Sequence, residues 1–347
     1  MASYQTVNTT EEGLDDDQQQ EQTLIYLSHS CYMMIIPFQF IVEFIKTIQS
    51  SHHPDKQDIL KKALQGWKET VQSSILDLHN TNNNTDDRYH RSVLSRISLK
   101  LAILLCIPSY LWYLSVNLIS ASNLTAIYNT SCLSAYIFSI LMLHDRVVPA
   151  KMGAVVLCMM GVATMAFWPQ DDDVKLYGPL SGAVGITTAT IGAASVGYYE
   201  VYYKKYASPT RPTLLFANTL SGGIGVATFF VLWIPLPILH FWDIEPFQWP
   251  DLTTFLNILA IASSSMVYNA TCMAVVALIS PVFAAVGVML TIPAVAITDV
   301  FVTGKMVPLS TVIGSLFILV GFVMLNKRVY EEVKEEEEEV IEQTADV

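Results

Sequence analysis

Long apolar runs separated by short polar stretches make up most of this chain. Asn123–Trp168 shows the pattern most clearly: NLTAIYNTSCLSAYIFSILML and VVPAKMGAVVLCMMGVATMAFW flank His144-Asp145-Arg146. At a rise of 1.5 Å per residue, a helix of ~20 residues spans a hydrocarbon core of ~30 Å. The arrangement returns as Val282–Val302, a turn at Gly304-Lys305, and Met306–Leu325. Arg146-Val147-Val148-Pro149 lines up with Lys305-Met306-Val307-Pro308, and Gly161 falls opposite Gly321 with a one-residue slip. The chain therefore reads as two copies of one membrane unit.

Nine runs are long enough to span: Leu24–Ile48, Ile97–Ile119, Ser122–Leu143, Val148–Trp168, Gly178–Tyr203, Thr213–Trp242, Leu252–Val276, Ser280–Val302 and Val307–Asn326. The echoing pairs lie five spans apart, and an odd separation gives the copies opposite orientations in the membrane. The expected fold is an all-α polytopic membrane protein with an inverted-topology repeat of helix bundles and about nine transmembrane helices. Its parts are a disordered acidic head (1–23), a first repeat (24–168) containing a polar linker (49–97), a second repeat (178–326) and an acidic tail (327–347). Within the linker, Asp58–Leu78 reads as a short surface helix. Pro281 and Pro293 predict a kink or break in the span Ser280–Val302.

Composition supports this class. Of 347 residues, 52% are hydrophobic and 14% charged, against about 25% charged in soluble domains. The net charge of −12 arises largely from the two acidic tails, which read as solvated and unstructured. No basic balance for nucleic acid is present. The first 23 residues are polar and lack Lys and Arg, so no secretory signal is visible. The five cysteines lie in apolar runs without C-x-x-C spacing, as small packing residues do. Threading nine spans alternately puts all but two (Lys175 and Lys305) of the 19 Lys and Arg residues on one side. The positive-inside rule makes that side cytoplasmic, with the C-terminus there and the N-terminus on the other face. Trp168, Trp233, Trp242 and Trp249 fall near predicted helix ends, as interfacial anchors do.

Polar groups inside spans are costly unless partnered, so they mark candidate substrate-pathway residues. These are Asn123, Tyr128 and Asn129; Tyr198 and Glu200; Tyr268 and Asn269; and Asp299. The alternative is that such groups join packed helices, as Ser, Thr and Asn commonly do in membranes. Glu200 has a further alternative, a pair with Lys204 at i,i+4. Asp299, four residues from the end of its run, is either an interfacial acid or a coupling group. Gly178, Gly182, Gly185, Gly222, Gly223 and Gly225 suit close helix approach. Of the sequons, those at Asn123, Asn129 and Asn269 lie in spans and Asn83 on the cytoplasmic side, leaving Asn8 accessible if the N-terminus is luminal. No H-E-x-x-H, P-loop, G-x-S-x-G or metal-ligand spacing is present, so neither enzyme chemistry nor a cofactor or metal is expected.

Four stretches carry a resemblance: SNLTAIYNTSCLSAYIFSILMLHDRV (Ser122–Val147), GYYEVYYKKYASP (Gly197–Pro209), FANTLSGGIGVATFFVLWIPLPILHFWDIEPFQWP (Phe216–Pro250) and NATCMAVVALISPVFAAVGVMLTIPAVAITDVFVTGK (Asn269–Lys305). Through them the chain resembles the drug/metabolite transporter superfamily, EamA type. Within it, the chain is similar to the solute carrier family 35 group F-like proteins, including the fungal vacuolar and thiamine-repressible transporter-like subgroup. The resemblance implies a ten-helix inverted-repeat carrier with both termini cytoplasmic, working by alternating access. Leu24–Ile48 resembles that family's second helix, so the first helix is expected to be missing and the repeats to hold four and five spans.

The function expected is secondary-active transport of a small organic solute through a midplane site in an endomembrane, vacuolar or Golgi. The partners are that solute and the lipid bilayer, not nucleic acid. The scarcity of basic residues within spans favours a neutral or cationic solute over a nucleotide sugar. A non-transporting receptor or scaffold, or a truncated inactive carrier, is the alternative. Oligomeric state stays open.

Overall fold

The structure, a computed structural model, describes residues 26–50, 56–79, 87–116, 118–119, 121–167, 179–233, 252–303 and 309–345. The acidic head, Asn8, Asn83, Gly178, Trp168, Trp242, Trp249 and the Gly304-Lys305 turn lie outside the described residues, as does the side chain of Trp233.

Every regular element among the described residues is helical. In chain order these are α1 (Tyr26–Gln49), α2 (Lys56–His79), α3 (Asp87–Val116), α4 (Ala121–Asn129), α5 (Ser131–Phe138) and α6 (Pro149–Phe167). They continue as α7 (Pro179–Ala207), α8 (Leu214–Trp233), α9 (Leu252–Leu278), α10 (Pro281–Met289), α11 (Thr291–Thr303) and α12 (Leu309–Ala345). A wider π turn, Ser139–Leu143, prolongs α5 and ends at His144, whose left-handed backbone (φ 58°) stops the helix.

Among the described residues seven helical segments are long and apolar enough to cross a membrane: Tyr26–Gln49, Arg88–Val116, Asn123–Leu143, Leu214–Val231, Leu252–Leu278, Pro281–Thr298 and Leu309–Glu332. Pro149–Met165 is a shorter apolar helix. α7 has 29 residues, but its Thr, Ser and Tyr side chains leave it outside that group of seven. Among the described residues each of the nine expected runs holds helix, and the chain is a polytopic helical membrane protein. Its outward faces are apolar, with Phe38 62% and Phe301 84% exposed, the reverse of a water-soluble bundle.

The chain forms two compact units. The first combines residues 1–110 with 202–278 and the second 111–201 with 279–347. Each therefore draws on both predicted repeats. The first holds α1, α2, α8, α9 and most of α3. The second holds α4 to α6, α10 to α12 and most of α7.

In the second unit the echo found in the sequence becomes a spatial symmetry. Cys158 and Ile318 are 160 residues apart, and the Cys158 thiol donates to the Ile318 carbonyl at 3.8 Å. The same shift carries Ala121–Asn129 onto Pro281–Met289, and the stretch from Ser131 to Leu143 onto Thr291–Thr303. It also carries contacts onto contacts. A Cβ added at Gly161 would lie 2.6 Å from the Gly314 carbonyl oxygen, and one added at Gly321 would lie 2.9 Å from that of Ala154. These two contacts exchange under the shift, while Cys158 and Ile318 map onto each other. A pseudo-two-fold axis therefore passes between Cys158 and Ile318. Gly161 meets Gly314 where Lys151 meets Glu332 (2.7 Å), so α6 and α12 run antiparallel. An axis that exchanges antiparallel spanning helices lies in the membrane plane, which is the inverted-topology repeat. The helix register corresponds to the slipped Gly161–Gly321 alignment rather than to that of the turns.

Both prolines of the Ser280–Val302 run fall in first turns, where a missing N–H costs little. Pro281 begins α10 behind Ser280, whose hydroxyl accepts from the Phe283 amide at 3.1 Å. Pro293 cannot donate to Met289, and the helix breaks at Leu290 just after it. The equivalent break at Thr130 has no proline or glycine and divides a span expected to be continuous.

In the first unit α1 and α8 are also antiparallel. Asn218 Nδ2 donates to Gln39 Oε1 at 2.7 Å, and Thr228 Oγ1 donates to the His29 carbonyl at 3.3 Å. Between these contacts Gly222 and Gly225 admit Ile36 and Met33 with no room for a Cβ. α1 tightens to a 3-10 turn over Cys31–Met34, directly before Pro37, whose ring crowds the Met33 carbonyl. α2 is the surface helix expected inside the linker. It docks through buried Ile59, Ala63 and Ile75, with Trp67 stacked 5.6 Å from Phe40.

The acidic tail differs from expectation. α12 continues as helix to Ala345, and its first charged turns are tied by Arg328–Glu331 (3.3 Å), Arg328–Glu332 (3.6 Å) and Lys151–Glu332. Opposite charges at i,i+3 and i,i+4 favour helix over coil there.

Candidate functional site

α7 is the polar helix of the second unit, and its small residues let the α4–α5 run lie against it. Gly185 packs on Leu118 and Ile119, Gly192 on Tyr128, and Gly197 on Ser131 and Ala135. Ser115 and Thr188 share a 2.8 Å hydrogen bond, and the Tyr198 ring stands edge-on to Phe138 at 5.4 Å. Rising numbers on one side meet rising numbers on the other, so α7 runs parallel to α4–α5. It carries Tyr198 and Glu200 past the helix break.

At the break, Thr130 (φ −69°, ψ −8°) donates its amide to the Ile127 carbonyl at 2.9 Å and its hydroxyl to the same oxygen at 2.6 Å. At the related break the Leu290 amide donates to Gly287 (3.1 Å), and the Thr291 hydroxyl to Val288 (2.8 Å). At each interruption of the α-helical ladder a threonine hydroxyl thus donates to a carbonyl three residues back.

Glu200 is the group packing does not account for. It is 4% exposed, and Oε2 has no hydrogen-bond partner. Lys204, four residues on, donates its Nζ to the Ala277 carbonyl at 2.6 Å, at the end of α9. A buried carboxyl oxygen left without a partner in a membrane helix is costly, which keeps Glu200 a candidate.

The other predicted residues divide. Tyr128 stands edge-on to Trp112 at 4.5 Å, and Asn129 donates its amide to its own helix at Thr125 O (2.9 Å). Asn123 is exposed on the first turn of α4. Asp299 lies on α11 with its side chain outside the described residues. Tyr268 (52% exposed) and Asn269 (buried) are on α9 in the first unit. The second unit therefore gathers Tyr128, Asn129, Tyr198 and Glu200 along one pair of elements. Many hydroxyls of the polar clusters, including Thr187, Thr190, Ser195, Ser263, Ser264 and Thr271, donate to carbonyls four residues back. For these the packing role suffices.

Sequence reasoning passed over the first unit's buried polar seam. His29 is buried, with Nε2 3.1 Å from the Ser109 hydroxyl and Nδ1 without a partner, and Gln39 pairs with Asn218. The signal was present as single polar residues in apolar runs, but nothing in the sequence sets which faces meet.

The second unit thus holds a buried acid and two related helix breaks. Residues 77–167, from the end of α2 through α6, match the EamA-like transporter family, and the resemblance to the drug/metabolite transporter superfamily is borne out there. An uncharacterized transporter of Schizosaccharomyces pombe is 28% identical over 179 residues, 51% of this chain and 50% of that protein. The UDP-galactose transporter of the same yeast is 32% identical over 122 residues, 33% of this chain and 35% of that protein. This chain thus spans half or less of the length of these curated relatives in the matched regions. A solved crystal structure shares the fold at TM-score 0.51 and 11% identity, covering 92% of this chain and 96% of its own.

Proposed function

We propose that the protein is a secondary-active carrier that moves a small organic solute across an endomembrane, vacuolar or Golgi, by alternating access between its inverted repeats. The observation that carries this reading is the exchange of α4–α6 with α10–α12 about a two-fold axis, broken helices included. Repeats of opposite orientation can exchange conformations, giving two states of similar energy that open to opposite faces. Tyr128, Asn129, Tyr198 and Glu200 are the proposed pathway groups in the second unit, and Tyr268 and Asn269 in the first. Asn123 and Asp299 remain candidates by position. The transporter names of the two yeast proteins support the class.

The cargo is proposed to be neutral or cationic. Among the described residues Glu200 is a buried acid, and no Lys or Arg is buried. A diphosphate stripped of water needs such cations. The UDP-galactose carried by one relative makes the contrary case, and counterflow separates the two. Purified protein in proteoliposomes preloaded with galactose, tetraethylammonium or UDP-galactose is given trace label of the same solute outside. Saturable, ATP-independent accumulation of galactose or tetraethylammonium is expected. Saturable exchange of UDP-galactose would overturn the charge argument and keep the carrier. A broad metabolite mixture that shows no exchange of any member would overturn the carrier.

A further inference from the structure

α2 presents a second face that neither repeat nor transport explains. Its buried strip, Ile59, Ala63 and Ile75, with Trp67 half-buried beside it, lies against the rest of the first unit. Beside it Leu60 and Leu64 are 44% and 51% exposed, and Lys61 and Lys62 are exposed next to them. Residues 56–68 hold four lysines against the single acid Asp58. Exposed leucines one turn apart beside lysines make an amphipathic helix of the kind that lies in a membrane interface.

Where α2 sits selects its occupant. Trp67 stacks on Phe40, which is inside the spanning segment Tyr26–Gln49 and roughly 14 Å short of its end at 1.5 Å per residue. Phe40 is flanked by the outward-facing Phe38, Ile41 and Ile45. A helix packed at that depth has lipid beside it rather than bulk water, so the apolar face of α1 continues onto Leu60 and Leu64. The same end of the unit carries exposed Arg96 and Lys100 on α3, next to outward-facing Leu99 and Ile103, because Ser98 packs at Gly223 beside Ile36.

We propose that α2 is an interfacial helix that binds anionic phospholipid, with Leu60 and Leu64 in the acyl boundary and Lys61 and Lys62 on the headgroup phosphates. This anchors the linker to the bilayer whichever solute is carried, and it does not rest on the transport reading.

The test uses the full chain in nanodiscs of phosphatidylcholine, with or without phosphatidylserine. A bimane label on Leu64→Cys, with the native cysteines replaced, is compared with one on Ser73→Cys on the opposite, exposed face. Brominated acyl chains are expected to quench the Leu64 label at least about twofold more than the Ser73 label. Phosphatidylserine should deepen that quenching, and K61E/K62E should remove the lipid dependence, at roughly fivefold in apparent lipid affinity per lysine. Amide exchange over 56–79 in the unlabelled wild-type protein, slowed by phosphatidylserine, checks the result if the replaced background folds poorly. Equal quenching at the two positions, or a Leu64 label shielded only as protein concentration rises, would overturn the proposal, the latter in favour of a second copy.

Discussion

Glu200 shows what a single residue can cost in this environment. Its carboxyl is buried with one oxygen unpartnered, and Lys204 at i,i+4 donates to the Ala277 carbonyl. An unsatisfied buried polar group costs about 1 to 3 kcal/mol, more when charged. Glu200→Leu should therefore raise the unfolding free energy in detergent by about 1 to 3 kcal/mol. If the site is functional, the same change should abolish counterflow, and Glu200→Gln should do so without altering expression. A Leu variant that loses stability would mean an uncounted partner holds the carboxyl, and one that keeps full flux would remove Glu200 from the pathway. Asn129 makes a weaker prediction. Its amide is already spent on Thr125, so Asn129→Ala should change flux far less than Glu200→Gln.

At the scale of elements, the crossing of α6 with α12 depends on two glycines facing each other's backbone. A Cβ on Gly161 would strike both the Gly314 carbonyl oxygen at 2.6 Å and Ile318 at 2.9 Å. Gly161→Ala should thus lower stability by about 1 to 3 kcal/mol, the range for overpacking. Gly66, mid-way along α2 with nothing within 4 Å of an added Cβ, should gain about 1 kcal/mol as alanine. Thermal melts of the two variants beside wild type would read both signs, and equal shifts would refute the packing. The polar end of the same crossing gives a charge test. K151E and E332K should each destabilise and their combination recover about 0.5 to 1 kcal/mol of coupling, since both groups are partly exposed.

These elements also show what the chain discloses in one dimension. Apolar length gave the helices, and the Arg146–Pro149 and Lys305–Pro308 echo gave the repeat, because both are properties of contiguous residues. The break at Thr130 was hidden. No proline or glycine marks it, and it emerges only when α4–α5 is superposed on α10–α11, where Pro293 does the same work openly. Glu200 was legible as an intramembrane acid, but the bond of Lys204 to Ala277 was not, because it joins residues 73 positions apart. His29 and the Gln39–Asn218 pair were illegible for the same reason: burial against α3 and α8 is decided by facing, and nothing fixes facing until helices are paired.

For the whole molecule, the decisive question is which face of the membrane each end of the bundle meets. Three contacts bear on it. Lys151–Glu332 brings the start of α6 to the charged end of α12, Arg211 N–Asp77 brings the α7–α8 loop to α2, and Lys204 reaches the end of α9. Each joins two segments that alternate threading puts on the same side, the side holding all but Lys175 and Lys305 of the 19 basic residues. The charge bias is a count along the chain and the contacts are side-chain geometry, and both agree with alternate threading. Single cysteines at exposed Val147, Thr210 and Tyr330 should react with a membrane-impermeant maleimide in sealed, cytosol-side-out vesicles. One at exposed Leu252 should react only after lysis. Protection of Tyr330 alone would break the antiparallel pairing of α6 with α12. Protection of all three with reaction at Leu252 would reverse the threading, leaving each unit's fold intact and placing the basic loops on the exoplasmic face against the charge rule.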